Sequence, residues 1–129
     1  MKLLLDTHAF IWLVTAPEMI PPDTLETCKR RENRLLVSLV TLWEIQIKSQ
    51  LGKMRLGSSS LPEIVSTLVE QGTIDLLPIM SEHIFGLEAL PFHHRDPFDR
   101  LLVSQARAEK ASLVSKDRTL SAYEVELLW

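Results

Sequence analysis

Cysteine is nearly absent: Cys28 stands alone in 129 residues. That excludes a disulfide scaffold and a thiolate metal cluster, and it suits a reducing compartment, so the cytoplasm is the expected location. No stretch approaches the ~18 consecutive apolar residues of a membrane span. The apolar start Met1–Leu5 is cut short by Asp6, so no signal peptide is expected. No HxxxH or HExxH pairing offers a zinc site, and no G-x-x-x-x-G-K-[ST] offers a phosphate loop. Positive charge is not in excess either. Fourteen Lys+Arg face 17 Asp+Glu for a formal charge of -3, which excludes a histone-like nucleic-acid binder. Internal repeats are missing, and the one low-complexity stretch, Gly57–Ser60, reads as a surface loop.

Apolar residues make up 46% of the chain and charged residues 24%, the balance of a globular protein. The length accommodates one domain over residues 1–129, large enough for a hydrophobic core of its own. Apolar runs at Lys2–Leu5, Arg34–Leu39, Ile74–Ile79, Ala111–Ser115 and Val125–Trp129 are continuous rather than alternating. Continuity predicts strands buried on both faces. Helices are predicted between them. One opens at Pro21-Pro22-Asp23 and runs to about Glu32, one covers Thr41–Leu51, and one follows the capping spacing Ser60-Leu61-Pro62-Glu63. Two more cover Ser81–Leu90 and the stretch from Asp96-Pro97 to about Lys110. Strands alternating with helices predict an α/β fold with a parallel sheet covered on both faces. Sites in such folds form at the carboxyl ends of the strands.

Five carboxylates are expected on that rim. Asp6 directly follows the first strand, and Asp117 follows the fourth by two residues. Glu44 is placed in the first turn of its helix, as are Asp96 and Asp99 in theirs. Singly, each has a structural use: Thr41-Leu42-Trp43-Glu44 has capping-box spacing, and Asp6, Asp96 and Asp117 are good N-caps. Jointly they repel. Two like charges ~4 Å apart cost ~1 kcal/mol in water and ~4 kcal/mol at an effective dielectric of 20. A converging set must therefore splay, keep protons or take up a cation. An all-oxygen donor set favours Mg²⁺ or Mn²⁺ over zinc. Such a site suits phosphodiester hydrolysis.

LLLDTH at Leu3–His8, WEIQIK at Trp43–Lys48, HHRDPFDRLLVSQA at His93–Ala106 and VSKD at Val114–Asp117 together resemble the PIN-domain ribonucleases. The likeness is strongest to the VapC-type toxins of type II toxin–antitoxin pairs, and it covers nearly the whole chain in order. It implies a Rossmann-like three-layer α/β/α fold with a central four- to five-stranded parallel sheet. It also implies a Mg²⁺- or Mn²⁺-dependent endoribonuclease. Asp6, Glu44, Asp99 and Asp117 match the acidic quartet, with Asp6 and Asp99 as the direct metal ligands. Glu44 and Asp117 would complete the shell, partly through water. Asp96 is a supporting acid, and Ser115 would hydrogen-bond a site carboxylate or water. A cognate antitoxin filling an apolar groove is implied as a partner, beside RNA as substrate and a homodimer or toxin–antitoxin assembly. The groove is expected around Phe10–Leu13 and the helix after Thr41.

Other residues divide between readings. Arg100 is expected to meet a phosphate or a carboxylate, and His94 an RNA chain or solvent. His93 and His94 are adjacent, so their side chains point apart and joint chelation is not expected. His8 is expected to be exposed at a helix start, and Trp43 to pack in the core. Trp12 and Phe10 fit either a core or a partner groove. The basic run Lys29–Arg34 fits a solvated face or an RNA contact. An aspartyl-phosphate phosphatase wants a second Asp two residues after Asp6, where His8 stands, and a receiver domain wants an acid where Pro78-Ile79-Met80 lies. A non-catalytic RNA-binding module of the same fold is the other alternative. Setting aside the five rim carboxylates leaves 14 basic against 12 acidic residues, a balance of +2. The acidic total therefore does not exclude nucleic acid.

Overall fold

The first strand, β1 (Lys2–Leu5), lies at the centre of a five-stranded sheet in a computed structural model that describes residues 1–129. It is flanked by β2 (Arg34–Ser38) and β4 (Ser112–Val114), with β3 (Asp75–Leu77) and β5 (Leu127–Leu128) at the edges. Every pairing is parallel, in the order β3-β2-β1-β4-β5. The chain leaves β1 toward β2 and β3, then returns across the sheet to β4 and β5. The reversal places a crevice between the carboxyl ends of β1 and β4.

The helices are α1 (Thr7–Thr15), α2 (Pro22–Lys29), α3 (Leu39–Gln50), α4 (Leu61–Glu70), α5 (Ser81–Phe85) and α6 (Pro97–Glu109). Strand residues alternate between two cores. Leu3, Leu5, Leu35 and Val37 pack with Ala9 and Phe10 of α1 and Cys28 of α2. Leu4, Leu36 and Leu113 pack on the other face with Val40 of α3 and Leu102, Val103 and Ala106 of α6. Burial on both faces explains the unbroken apolar runs. Each fully buried leucine stabilises the fold by ~1.5–3 kcal/mol relative to exposure.

Boundaries moved where local chemistry dictated. The second run stops at Ser38, whose hydroxyl accepts from Val40 N–H at 3.0 Å and caps α3. That helix starts at Leu39 rather than Thr41, so Glu44 sits in its second turn, not its first. The third run shortens to Asp75–Leu77, because Pro78 has no N–H for the ladder. The helix from Pro21 ends at Lys29, short of Glu32, since Arg30 adopts an extended backbone. Ser81–Leu90 divides into α5 and a tighter turn, Gly86–Ala89. Gly86 is required there: a Cβ would lie 2.6 Å from Ser104 Oγ of α6. Trp43 is 57% exposed, not core, and packs edge-on against Phe98 with ring centroids 5.2 Å apart.

Candidate functional site

Asp6 ends β1 with its N–H donating to the Val114 carbonyl of β4 at 3.0 Å, which fixes it in the crevice between the two strands. Its Oδ1 accepts from Ala9 N–H at 2.8 Å and caps α1. Burial pushes the Asp6 carboxyl up, against the hydrogen bonds of Ser115 and Ala9 that pull it down. Thr7, the next residue, is buried, and its hydroxyl donates to Glu44 Oε1 at 2.6 Å. Glu44 Oε2 meets Lys48 Nζ at 2.6 Å, an i,i+4 pair on α3. Both oxygens of this buried glutamate are thus held by the protein.

α6 begins on the same rim. Asp96 Oδ1 accepts from Phe98 N–H at 2.8 Å and from Asp99 N–H at 3.4 Å, so Asp96 is the N-cap. Asp99, three positions on, makes no side-chain hydrogen bond or ion pair within the protein. Burial first, and then the charges of Asp96, Glu44 and Asp6, push its carboxyl up to about 7. Asp117 stands beyond β4 and caps the turn Arg118–Ala122, with Oδ1 accepting from Thr119 N–H at 3.0 Å. Its Oδ2 lies 3.1 Å from His94 Nε2. The Thr119 hydroxyl and His94 hold the Asp117 carboxyl below its usual range. Ser115 is fully buried, and its Oγ accepts from the Asp117 N–H at 3.1 Å, which orients the loop after β4.

All five carboxylates line one cavity of about 410 Å³, shared with Thr7, His8, Trp12, Lys48 and Lys116. Five acids against two lysines leave an excess of three negative charges when all are ionised. Side-chain atoms of His94, Asp99 and Asp117 lie within 4.8 Å of one another, close enough to share a cation. Capping and site roles coexist here. Asp6, Asp96 and Asp117 each cap through Oδ1, and each caps with a residue that faces the cavity.

Arg100 departs from its sequence expectation. Arg100 meets neither a phosphate-accessible surface nor a carboxylate. It is buried, with its guanidinium donating to the carbonyls of Pro91 (2.8 Å), Leu87 (3.4 Å) and Leu90 (3.3 Å) and to Tyr123 Oη (3.3 Å). The Leu87 carbonyl already accepts from Leu90 N–H at 3.1 Å within the Gly86–Ala89 turn, and Arg100 adds the donors for the Leu90 and Pro91 carbonyls that follow it. His94 is held against Asp117 and Thr119, beside the cavity that Asp117 lines. A groove beside α1 has no α3 residue in its lining. It runs between α1 and α4 with a volume of about 540 Å³, with Leu13, Val14, Ile64 and Leu68 among polar residues that include Glu63, Thr67 and Gln71, whereas Phe10 is buried. Thr7, Lys48 and Lys116 line the cavity from inside the motifs without having been singled out, and Trp12, expected in a core or a partner groove, lines it too. Only Lys48 left a signal, its i,i+4 spacing from Glu44.

The model of the PIN domain family matches residues 3–126. No curated protein sequence matches the chain. Among solved structures, the fold is similar to a chain of VapBC2 from Rickettsia felis, solved bound to a promoter DNA fragment. The TM-score is 0.68 at 18% identity, covering 100% of this chain and 99% of that one. DNA-bound VapBC from Salmonella typhimurium is similar at TM-score 0.66 and 16% identity, covering 99% and 97%. FitAcB from Neisseria gonorrhoeae is similar at TM-score 0.65 and 13% identity, covering 98% and 96%. With a parallel sheet, an acidic rim at its carboxyl edge and a family match along nearly its full length, this chain belongs to the PIN domain family.

Proposed function

We propose that the protein is a divalent-metal-dependent endoribonuclease, the toxin of a toxin–antitoxin pair. The observation that carries this reading is Asp99: a half-buried carboxylate with no partner in the protein, facing three other acids. Its neighbours' charge and its own desolvation are removed together if a hard cation binds there. The donor set fits Mg²⁺ or Mn²⁺, since it is all oxygen apart from His94. Asp6 and Asp99 would hold the ion, with Asp117 and Glu44 completing the shell through water. A divalent ion so bound lowers the pKa of a coordinated water and stabilises charge on a phosphoryl oxygen.

The protein's own groups do the positioning. Thr7 and Lys48 lock Glu44 in one orientation, so its carboxylate is a fixed acceptor for a water hydrogen rather than a mobile ligand. Lys116, which has no ion pair, supplies positive charge toward substrate phosphates. His94 and Thr119 fix Asp117. The partner reading rests on the α1/α4 groove and on a fold shared with solved structures, one of them a toxin–antitoxin complex from Klebsiella pneumoniae at TM-score 0.58 and 14% identity. That groove shares Leu13 and Thr73 with a cleft bearing Lys29, Arg30 and Arg31. An antitoxin segment that is apolar and then acidic suits the pair. No helix is long and apolar enough to cross a membrane.

The test is RNA cleavage with Mg²⁺ or Mn²⁺ and with EDTA. Cleavage yielding 5′-phosphate ends, lost in EDTA and in Asp99→Asn, is expected. Full activity in EDTA, or cyclic phosphate ends, would overturn the reading.

A further inference from the structure

The cavity at the acidic rim contains one hydrophobic side chain among its ten lining residues, Trp12. An indole facing five carboxylates and two lysines is out of place as packing. Core aromatics of α1 go inward: Phe10, two positions earlier, is 2% exposed. The other tryptophans do not share the position. Trp43 packs on Phe98, and Trp129 packs on Trp12 itself, with ring centroids 5.7 Å apart at 48°.

Trp12 is braced as well as exposed to the cavity. His8 lies one helical turn before it on the same face of α1, its ring 5.7 Å away at 47°. Lys116 Nζ stands 5.7 Å from the indole centroid. A long lysine side chain at that distance can yield the ring face and keep its charge nearby for a phosphate. Trp12 is six residues beyond Asp6, the N-cap of its helix, so its Cα lies ~9 Å along the axis and its side chain leans back toward the acidic end. A large π-system, braced by two tilted rings and attended by a lysine, is what an unpaired nucleobase stacks on.

We propose that Trp12, flanked by His8, is a base-stacking ledge that seats an unpaired nucleobase of the RNA beside the acidic cavity. This rests on the ribonuclease reading above. Bases in a duplex are stacked on one another, so the ledge selects single-stranded segments. Trp12 is a positioning residue: it binds a neighbouring nucleotide and takes no part in bond cleavage.

Two measurements test it. Cleavage kinetics on an unstructured uridine-rich oligoribonucleotide compare wild type with Trp12→Phe and Trp12→Leu. Stacking by an aromatic side chain is worth enough that Trp12→Leu raises KM about tenfold, with kcat changed by less than about twofold. Trp12→Phe stays near wild type. The second measurement uses the wild-type protein, so it holds even if Trp12→Leu fails to fold. Irradiation with an iodouridine-substituted RNA is expected to leave its adduct on Trp12 or His8. An unchanged KM in Trp12→Leu, or adducts confined to other residues, overturns the ledge while cleavage by wild type leaves the nuclease intact. Adducts at Trp12 on a protein that cuts no RNA overturn the nuclease and keep the ledge. A wild type that neither cuts nor cross-links overturns both.

Discussion

Asp99 shows how one side chain can carry a signal that its neighbours in sequence conceal. At the third position of α6 it has a routine use, since a carboxylate there favours the helix dipole. What separates it from a capping residue is the absence of a partner together with three acids around it, and neither fact is local. Its carboxyl, raised to about 7 chiefly by burial, has a consequence for stability. The ordinary value is 3.8, so between pH 4 and about 7 the folded state holds a proton that the unfolded state has released. Stability must then fall as pH rises through that window. Asp6, raised for the same reason, adds to the same slope. Thermal unfolding of the metal-free protein is expected to show a lower Tm at about pH 8 than at about pH 5.5. Asp99→Asn should raise Tm at the higher pH and flatten the slope, and Mg²⁺ should raise Tm of wild type but not of the variant. A wild-type Tm that rises with pH over this range would contradict the assignment.

At the scale of elements, legibility followed how much of the outcome local chemistry decided. The central strands were readable because both faces are buried and every residue of Leu3–Leu5 is apolar. The start of α3 was not, because Ser38 caps from within an apolar run and its side chain is hidden among leucines and valines. The sequence of α6 showed its cap and its acids clearly but not the purpose of Arg100. A charged residue beside Asp99 reads as a salt bridge or a phosphate contact. The fold uses it instead as a buried fork against the carbonyls of Leu87, Leu90 and Pro91, with the Phe92 ring 4.3 Å from its guanidinium carbon. Arg100 therefore ties α6 to the loop that leads into Asp96. Arg100→Met removes the donors to the buried Leu90 carbonyl and the part-buried Pro91 carbonyl and is expected to cost about 2 kcal/mol in urea unfolding. Arg100→Lys should recover only part of that, since one ammonium cannot span the fork. An Arg100→Met protein as stable as wild type, with cleavage lost, would instead place Arg100 on the substrate.

For the molecule as a whole, parallel topology explains why acids from residue 6 to residue 117 meet: every strand delivers its carboxyl end to one edge. That convergence was readable from strand order alone. The α1/α4 groove was not, because it depends on how the two helices sit side by side and on the turn at Gly72 and Thr73 between α4 and β3. The antitoxin reading makes a prediction at this scale. The groove is apolar at Leu13, Val14, Ile64 and Leu68, and its continuation is basic at Lys29, Arg30 and Arg31. Arg30 is paired with Glu26, whereas Lys29 and Arg31 have no ion-pair partner. Leu68 is partly exposed on α4, so Leu68→Glu can be tolerated by the fold while placing an unpaired charge under the partner's apolar face. Co-purification with the product of a neighbouring small reading frame should fall by at least about a hundredfold in affinity, since a charge buried without a partner costs about 3 kcal/mol or more. RNA cleavage by the free variant should be unchanged, because the groove and the acidic cavity share no residue. Lys29→Glu with Arg31→Glu should weaken the same complex more at low salt than at high, as screening removes an attraction that acts through water. Full-strength binding in Leu68→Glu would move the partner off the α1/α4 groove. Loss of cleavage in the same variant would mean that groove and cavity act as one surface.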